Sequence, residues 1–213
     1  LIIWSASVAV VLVSNIIAGT EPITLSATLV GVTSLIFIAK GNVVGQFLTV
    51  AFSVLYAITS YRMRYYGEMI TYLGMTLPSA VFAAISWIRH PYKKGEVKIS
   101  KMTPLKAVVM VLFTSAATAL FYFIMKALDT PNLAVSTLSI TTSFLASYLT
   151  FIRNSYYAVA YAVNDIVLII LWILAAIGDI SYLPMIFCFA MFLINDIYGF
   201  ISWKKREISQ GLK

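Results

Sequence analysis

The chain is poor in the residues on which metal proteins and most enzymes depend. It has one cysteine, Cys188, and one histidine, His90, in 213 residues. A lone cysteine inside an apolar run excludes a disulfide framework and a cysteine-rich metal site within one chain. A lone histidine in a basic loop reads as an interfacial residue, since metal sites need several convergent donors. There is no Gly-rich phosphate loop and no His-Glu-x-x-His motif, and His90 by itself does not complete a Ser-His-Asp set. Neither a cofactor motif nor phosphate-hydrolysing machinery is found. Charge is also scarce, at 11% of residues against roughly 25% in soluble domains.

Long apolar runs fill the place of the missing groups. The composition is 61% hydrophobic and the mean hydropathy is +0.93. Inside a bilayer every spanning segment must satisfy its own backbone, which leaves helix bundles and closed barrels. The runs are about 17 to 24 residues long without strict alternation, a length suited to helices rather than to strands. Eight segments are expected, near 1–18, 23–39, 42–61, 67–88, 104–127, 132–152, 155–177 and 181–203. Turns such as Gly19-Thr20-Glu21-Pro22 and Asp129-Thr130-Pro131-Asn132 separate them. The first run opens at Leu1 without a basic flank and leads into more membrane, unlike a signal peptide. With no initial Met, a few upstream residues are expected. Whether 1–18 spans is left open.

The 15 Lys and Arg outnumber the 8 Asp and Glu, yet the excess does not point to nucleic acid, because it sits at helix ends. Lys40, the basic stretch from Arg89 to Lys106, Arg153, and Lys204, Lys205, Arg206 and Lys213 fall on one side of the membrane. Arg62, Arg64 and Lys126 fall on the other. The positive-inside rule then puts the 89–103 loop and the C-terminus in the cytoplasm of a plasma-membrane protein. Glu68, Asp179, Glu21 and Asp129 are expected near the outer ends, solvated or capping.

One phrase recurs. Ile85-Ser86-Trp87-Ile88-Arg89 closes the first half and Ile201-Ser202-Trp203-Lys204-Lys205 the second, each ending an apolar run before basic residues. Lys40 to Trp87 and Arg153 to Trp203 each cover three helices, with Lys40-Gly41-Asn42 set against Arg153-Asn154-Ser155. Two adjacent three-helix copies would be inverted, and the extra helix at 104–127 makes them parallel. The expected architecture is an all-α integral membrane protein: an N-terminal helix at 1–18, a first repeat at 23–88, a linker helix at 104–127 and a second repeat at 132–203. Trp87 and Trp203 are expected as anchors at the membrane interface.

Polar residues inside spans mark cavities or helix contacts. On 42–61, Gln46, Thr49, Ser53, Tyr56 and Ser60 share a face. On 155–177, Tyr157, Tyr161, Asn164 or Asp165, Leu168 and Trp172 do so, and Asn164-Asp165 lies far from either end. On 181–203, Asn195 and Asp196 start two neighbouring lines. The Ser139, Ser143 and Ser147 line serves helix packing as readily as a pathway. The candidate ligand-binding set is therefore Tyr157, Tyr161, Asn164, Asp165, Asn195, Asp196, Gln46, Ser53, Tyr56 and Trp172. Aromatic faces suit a heteroaromatic ring, and more so a cationic one. Asp165 and Asp196 are also the one mid-span acidic pair that an intramembrane aspartyl protease would need, which is the enzyme alternative.

Ala39-Lys40-Gly41-Asn42, Tyr65-Tyr66-Gly67-Glu68-Met69, Tyr161-Ala162-Val163-Asn164-Asp165 and the string from Phe192 to Lys204 resemble the Pnu family of vitamin transporters. The resemblance runs from about Ser26 to the end of the last helix. It implies a SWEET-like 3+1+3 fold with no enzymatic activity. It also implies facilitated uptake by alternating access of a phosphate-free vitamin precursor, nicotinamide riboside foremost, with thiamine and riboflavin carried by relatives. A cytoplasmic kinase acting on the imported substrate would make uptake one-way. Many members carry a Trp-x-x-Trp pair ahead of an Asn or Asp on the sixth core helix, associated with the ligand. Here Ala158 and Tyr161 stand at those positions, with Tyr157 adjacent and Asp165 four residues beyond Tyr161. A seven- or eight-helix chain encloses its own path, so one copy suffices and a homo-oligomer is left open.

Overall fold

Proline and left-handed residues punctuate the chain into helices. The structure is a computed structural model that describes residues 2–212. Leu1 and Lys213, the latter counted above among the basic residues, lie outside the described residues. Helix α1 (Ile2–Ile17) ends at Gly19 (φ 61°), and α2 (Pro22–Ala39) opens on a proline, whose missing N–H costs nothing at a helix start. Then come α3 (Val44–Arg62), α4 (Tyr66–Thr71) and α5 (Leu77–Arg89), the last two joined by a π-helical turn at Tyr72–Thr76. Helix α6 (Pro104–Ala127) starts on Thr103, whose Oγ1 accepts from Lys106 N at 3.3 Å. The chain finishes with α7 (Leu133–Phe151), α8 (Tyr157–Gly178) and α9 (Leu183–Ser209). Before α9, the Ser181 N–H donates to Asp179 and holds its carboxyl below the usual range.

Seven spans are long and apolar enough to cross a membrane, α4 and α5 counting as one, and α1 is a shorter apolar helix. The expected segments are all helical. The last one runs on to Ser209, six residues past the expected end, and the third span is interrupted by the π turn. Helices α2, α3 and α4–α5 form one group and α7, α8 and α9 the other. Contacts of α2 with α9 and of α5 with α7 join the two groups. Helix α6 lies against α7 and α4, with Phe121 reaching the π turn at Gly74, and among the described residues it buries just Thr114, Phe121 and Met125. This is a 3+1+3 bundle, with α1 laid against α2 and α9.

The first turn of each group is built alike. Gly41 (φ 67°) and Arg153 (φ 60°) both take the left-handed conformation. Asn42 N donates to Phe37 O and Asn154 N to Leu149 O, at 2.9 Å in both. Asn42 Oδ1 then accepts from Val44 N, and Asn154 Oδ1 from Tyr156 N. The register implied by sequence, Lys40 against Arg153, is thus off by one. Gly41 answers Arg153 and Asn42 answers Asn154, because the side chain of the asparagine, not the charge, starts the next helix.

The 89–103 loop is stitched across this face. Val97 N donates to Gly41 O, Lys98 N to His90 O and Ser100 N to Arg153 O. Gln210, just past α9, accepts from Ile99 N and donates to Val97 O. Arg206 pairs with Glu96 at 3.2 Å.

The two recurring tryptophans do not anchor the bundle at the lipid interface. Trp87 is 2% exposed and Trp203 is 0% exposed. Each indole N–H finds a backbone carbonyl of the other group, which removes it from any belt position. Glu68, expected to be solvated, is also buried, at 1% exposure.

Candidate substrate-binding site

A cavity of about 60 Å³ lies at the centre of the bundle, and all six core helices line it. Neither α1 nor α6 contributes a lining residue. Helix α8 supplies Tyr157, Tyr161, Asn164 and Asp165, and α9 supplies Asp196 with Phe189 and Phe192. Helix α3 supplies Gln46, Thr49 and Phe52. Six of the ten expected residues therefore come together: Gln46, Tyr157, Tyr161, Asn164, Asp165 and Asp196. The lining holds two carboxylates and, among the described residues, no Lys, Arg or His.

The other four lie outside the lining. Ser53 donates to Thr49 O at 2.8 Å within its own helix. Tyr56 and Trp172 are joined by a hydrogen bond of 3.2 Å from the indole to the phenol, inside an aromatic cluster beyond the cavity. The cavity occupies only one part of α3, so a single face running the length of the helix passes from pocket to core. Asn195 turns toward α1, donating to Ser7 Oγ at 2.8 Å and to Met191 O at 2.7 Å. Its neighbour Asp196, about 100° further round the helix, faces the cavity.

The pocket's hydrogen bonds are incomplete. Thr142 Oγ1 donates to Asn164 Oδ1 at 2.8 Å, and Tyr161 OH and Ser147 Oγ lie 3.1 Å apart. Gln46 Nε2, Thr76 Oγ1 and Asp165 Oδ2 are buried without any protein partner. Buried polar groups are nearly always paired, so three orphans converging on one cavity point to a ligand. The carboxyls of Asp165 and Asp196, both in the lining, are hydrogen-bonding neighbours of one another.

Thr76, Tyr72, Ser79 and Thr150 also line the cavity, and sequence reasoning missed all four. Tyr72 and Thr76 bound the π turn. Four residues apart, they share one face with Ser79, Ala80 and Ala83 at ordinary helical spacing, and π turns recur at functional sites. No mid-span Asn, Gln, Asp or Glu marks that face in the sequence. Ser143 and Ser147 of the serine line face the cavity as well. Ser139 instead donates to Glu68 and to Ser136 O.

A pocket lined from all six core helices, between two three-helix groups that both cross the membrane, defines a helix-bundle transporter of a small solute. More particularly, the chain belongs to the family described as nicotinamide mononucleotide transporter, whose family model matches residues 21–205. A relative from Neisseria mucosa, nicotinamide riboside transporter PnuC, is 25% identical over 186 residues, covering 84% of this chain and 70% of the relative. The nicotinamide riboside transporter PnuC of Haemophilus influenzae is 23% identical over 179 residues, 82% of this chain and 76% of the relative. A solved structure described as the crystal structure of the vitamin B3 transporter PnuC superposes with a TM-score of 0.82 at 22% identity. It covers 95% of this chain and 88% of that one. The fold is SWEET-like, and the protein is a transporter rather than an enzyme. The intramembrane-protease alternative therefore falls.

Proposed function

We propose that the protein carries nicotinamide riboside into the cell by facilitated diffusion, with residues 23–88 and 132–203 rocking about the pocket. The observation that carries this is the charge of the lining, which has Asp165 and Asp196 but no basic side chain among the described residues. A pyridinium ring bears a positive charge that carboxylates and tyrosine faces favour. A phosphate in the same space would meet two acidic side chains and no Arg or Lys to bind it, which favours the riboside over the mononucleotide. Gln46, Thr76 and Asp165 have hydrogen-bonding capacity left for the ribose hydroxyls and the carboxamide.

The same electrostatics supports a cytoplasmic kinase as the functional partner. Once the cargo is phosphorylated, the acidic pocket rejects it, and uptake becomes one-way without an energy source in the transporter. The basic face formed by the 40–43 turn, the 89–103 loop and the end of α9 belongs in the cytoplasm of the plasma membrane by the positive-inside rule.

Counterflow in proteoliposomes tests this directly. Nicotinamide riboside should exchange saturably, nicotinamide mononucleotide should not compete, and collapsing the proton gradient should leave equilibration unchanged. Exchange of thiamine or riboflavin with none of nicotinamide riboside would overturn the cargo while leaving the transporter class intact.

A further inference from the structure

Glu68 is a buried carboxylate for which the fold has little use. It sits in the first turn of α4, at the end of the span opposite the 89–103 loop, and is 1% exposed. It caps no helix, since α4 has no side-chain cap, and it takes part in none of the salt bridges among the described residues. Its one hydrogen bond among those residues comes from Ser139 Oγ at 3.5 Å, a hydroxyl that also lies 2.8 Å from Ser136 O. One hydroxyl proton does not serve both acceptors well, and the carbonyl is the nearer. A carboxylate kept in a membrane span with so little internal pairing marks a functional group.

Its surroundings indicate what that function handles. Tyr65 and Tyr72 stand three residues before and four residues after Glu68, spacings that share one helical face. Tyr56 and Tyr72 have ring centroids 4.1 Å apart, and Tyr65 and Trp172 4.9 Å apart. Trp172 and Tyr65 continue to Tyr182, whose OH donates to Met63 O at the turn closing that face. At the other end of the column Tyr72 lines the cavity. A continuous column of aromatic rings therefore runs from the pocket to the far end of the bundle, with one carboxylate beside it.

We propose that Glu68, with Tyr65, Tyr72 and Trp172, forms an outer station that selects a positively charged heteroaromatic ring before it reaches the pocket. The rings offer their faces to the cation as they part, and Glu68 supplies the countercharge that Asp165 and Asp196 supply further in. An anion or a neutral ring gains nothing from the carboxylate. This rests on the reading of the cargo as a pyridinium nucleoside.

The test uses two cargoes of nearly the same shape, nicotinamide riboside and its uncharged 1,4-dihydro form, in counterflow by the full-length protein. Glu68→Gln should raise KM for the cation about tenfold and leave that for the neutral form unchanged, whereas Glu68→Asp should keep the preference for the cation. Ser139→Ala removes the one hydrogen bond to Glu68 and should leave both cargoes unaffected. If Glu68→Gln weakens both cargoes equally, or Ser139→Ala reproduces it, the role is structural and the station is overturned. If wild-type protein exchanges no nicotinamide riboside, the cargo reading fails and the station with it.

Discussion

Trp87 and Trp203 hold the two halves of the bundle together by a reciprocal exchange. Their ring centroids are 5.4 Å apart. Trp87 Nε1 donates to Thr150 O at 3.0 Å, and Trp203 Nε1 to Ile38 O at 2.8 Å. In the register set by Gly41 and Arg153, Ile38 and Thr150 are equivalent. Each tryptophan thus lies toward the basic end of the third helix of one repeat and bonds the same carbonyl on the first helix of the other. The neighbouring carbonyls are used too: Ser86 Oγ donates to Phe151 O, and Arg206 to Ala39 O. Ile38 and Thr150 both line the cavity, so this clasp is its floor on the basic face.

The cavity therefore opens toward the basic face only when the clasp parts. Trp203→Phe keeps a ring but deletes the donor, at about 1 kcal/mol or roughly fivefold in the open population. In a Cys188→Ala background, Ala83→Cys places a thiol in the cavity lining. A charged thiol reagent applied from the side of the basic face should label it about fivefold faster when Trp203→Phe is added. Trp87→Phe should act likewise, and the two together should be non-additive, because they break one device. Unchanged labelling would show that the clasp is not the barrier.

The paired carboxyls set the second expectation. Asp165→Asn and Asp196→Asn should each weaken nicotinamide riboside binding by at least about tenfold, since each removes half of a buried acidic pair from a desolvated site. The loss should be smaller for an uncharged cargo of the same size. Calorimetry on purified variants measures it. Full transport by both variants would remove the acidic pair from the site.

Thr76 gives an expectation of opposite signs. Its Oγ1 is buried and unpaired, so Thr76→Val relieves an unmet hydrogen bond worth about 1–3 kcal/mol. The variant should unfold at a higher temperature without ligand, yet bind nicotinamide riboside several-fold more weakly. A functional group held ready for a ligand is destabilising by itself. If stability falls and affinity is unchanged, Thr76 is a packing residue.

What could be read in advance depended on how locally each feature is written. The eight apolar helices and the Tyr157, Tyr161, Asn164–Asp165 face follow from composition and from spacing within one helix. Tyr72 and Thr76 share a face by ordinary helical spacing, but they were missed because no mid-span Asn, Gln or carboxylate on that span draws attention to it. The tryptophans were misread because a Trp at the end of a span resembles an interfacial anchor, and only the opposite repeat shows that it is buried. Asn195 was assigned to the pocket because nothing within α9 announces that Ser7 of α1 will take its amide. Glu68 was placed in solvent for the same reason: α4 packs against α3, α6 and α7, and nothing within α4 announces it. Even the equivalence of the repeats shifted by one residue once the asparagine turns were visible, so that Ser53, not Phe52, answers Asp165. The second repeat put a carboxylate where the first kept a hydroxyl bonded to its own helix.

Close approach of α2 to the aromatic wall yields a last expectation. Gly31 has no side chain, and a Cβ there would fall 2.5 Å from Phe192 Cζ and 3.1 Å from Phe52 Cδ2. Both rings line the cavity. That cavity is already small beside the roughly 300–1,000 Å³ of a pocket holding a drug-sized ligand, so the rings must move apart to admit a nucleoside. Gly31→Ala should push Phe192 inward and hold it there. The obstacle is the far end of a side chain, not backbone, so the fold should survive with about 1–3 kcal/mol lost. Affinity for nicotinamide riboside should drop more than stability does, and Phe192→Leu added to Gly31→Ala should restore it by returning the displaced volume. Binding titrations on the single and double variants decide the matter. An affinity loss that Phe192→Leu does not repair would mean that the α2 backbone, rather than the ring, sets the width of the pocket.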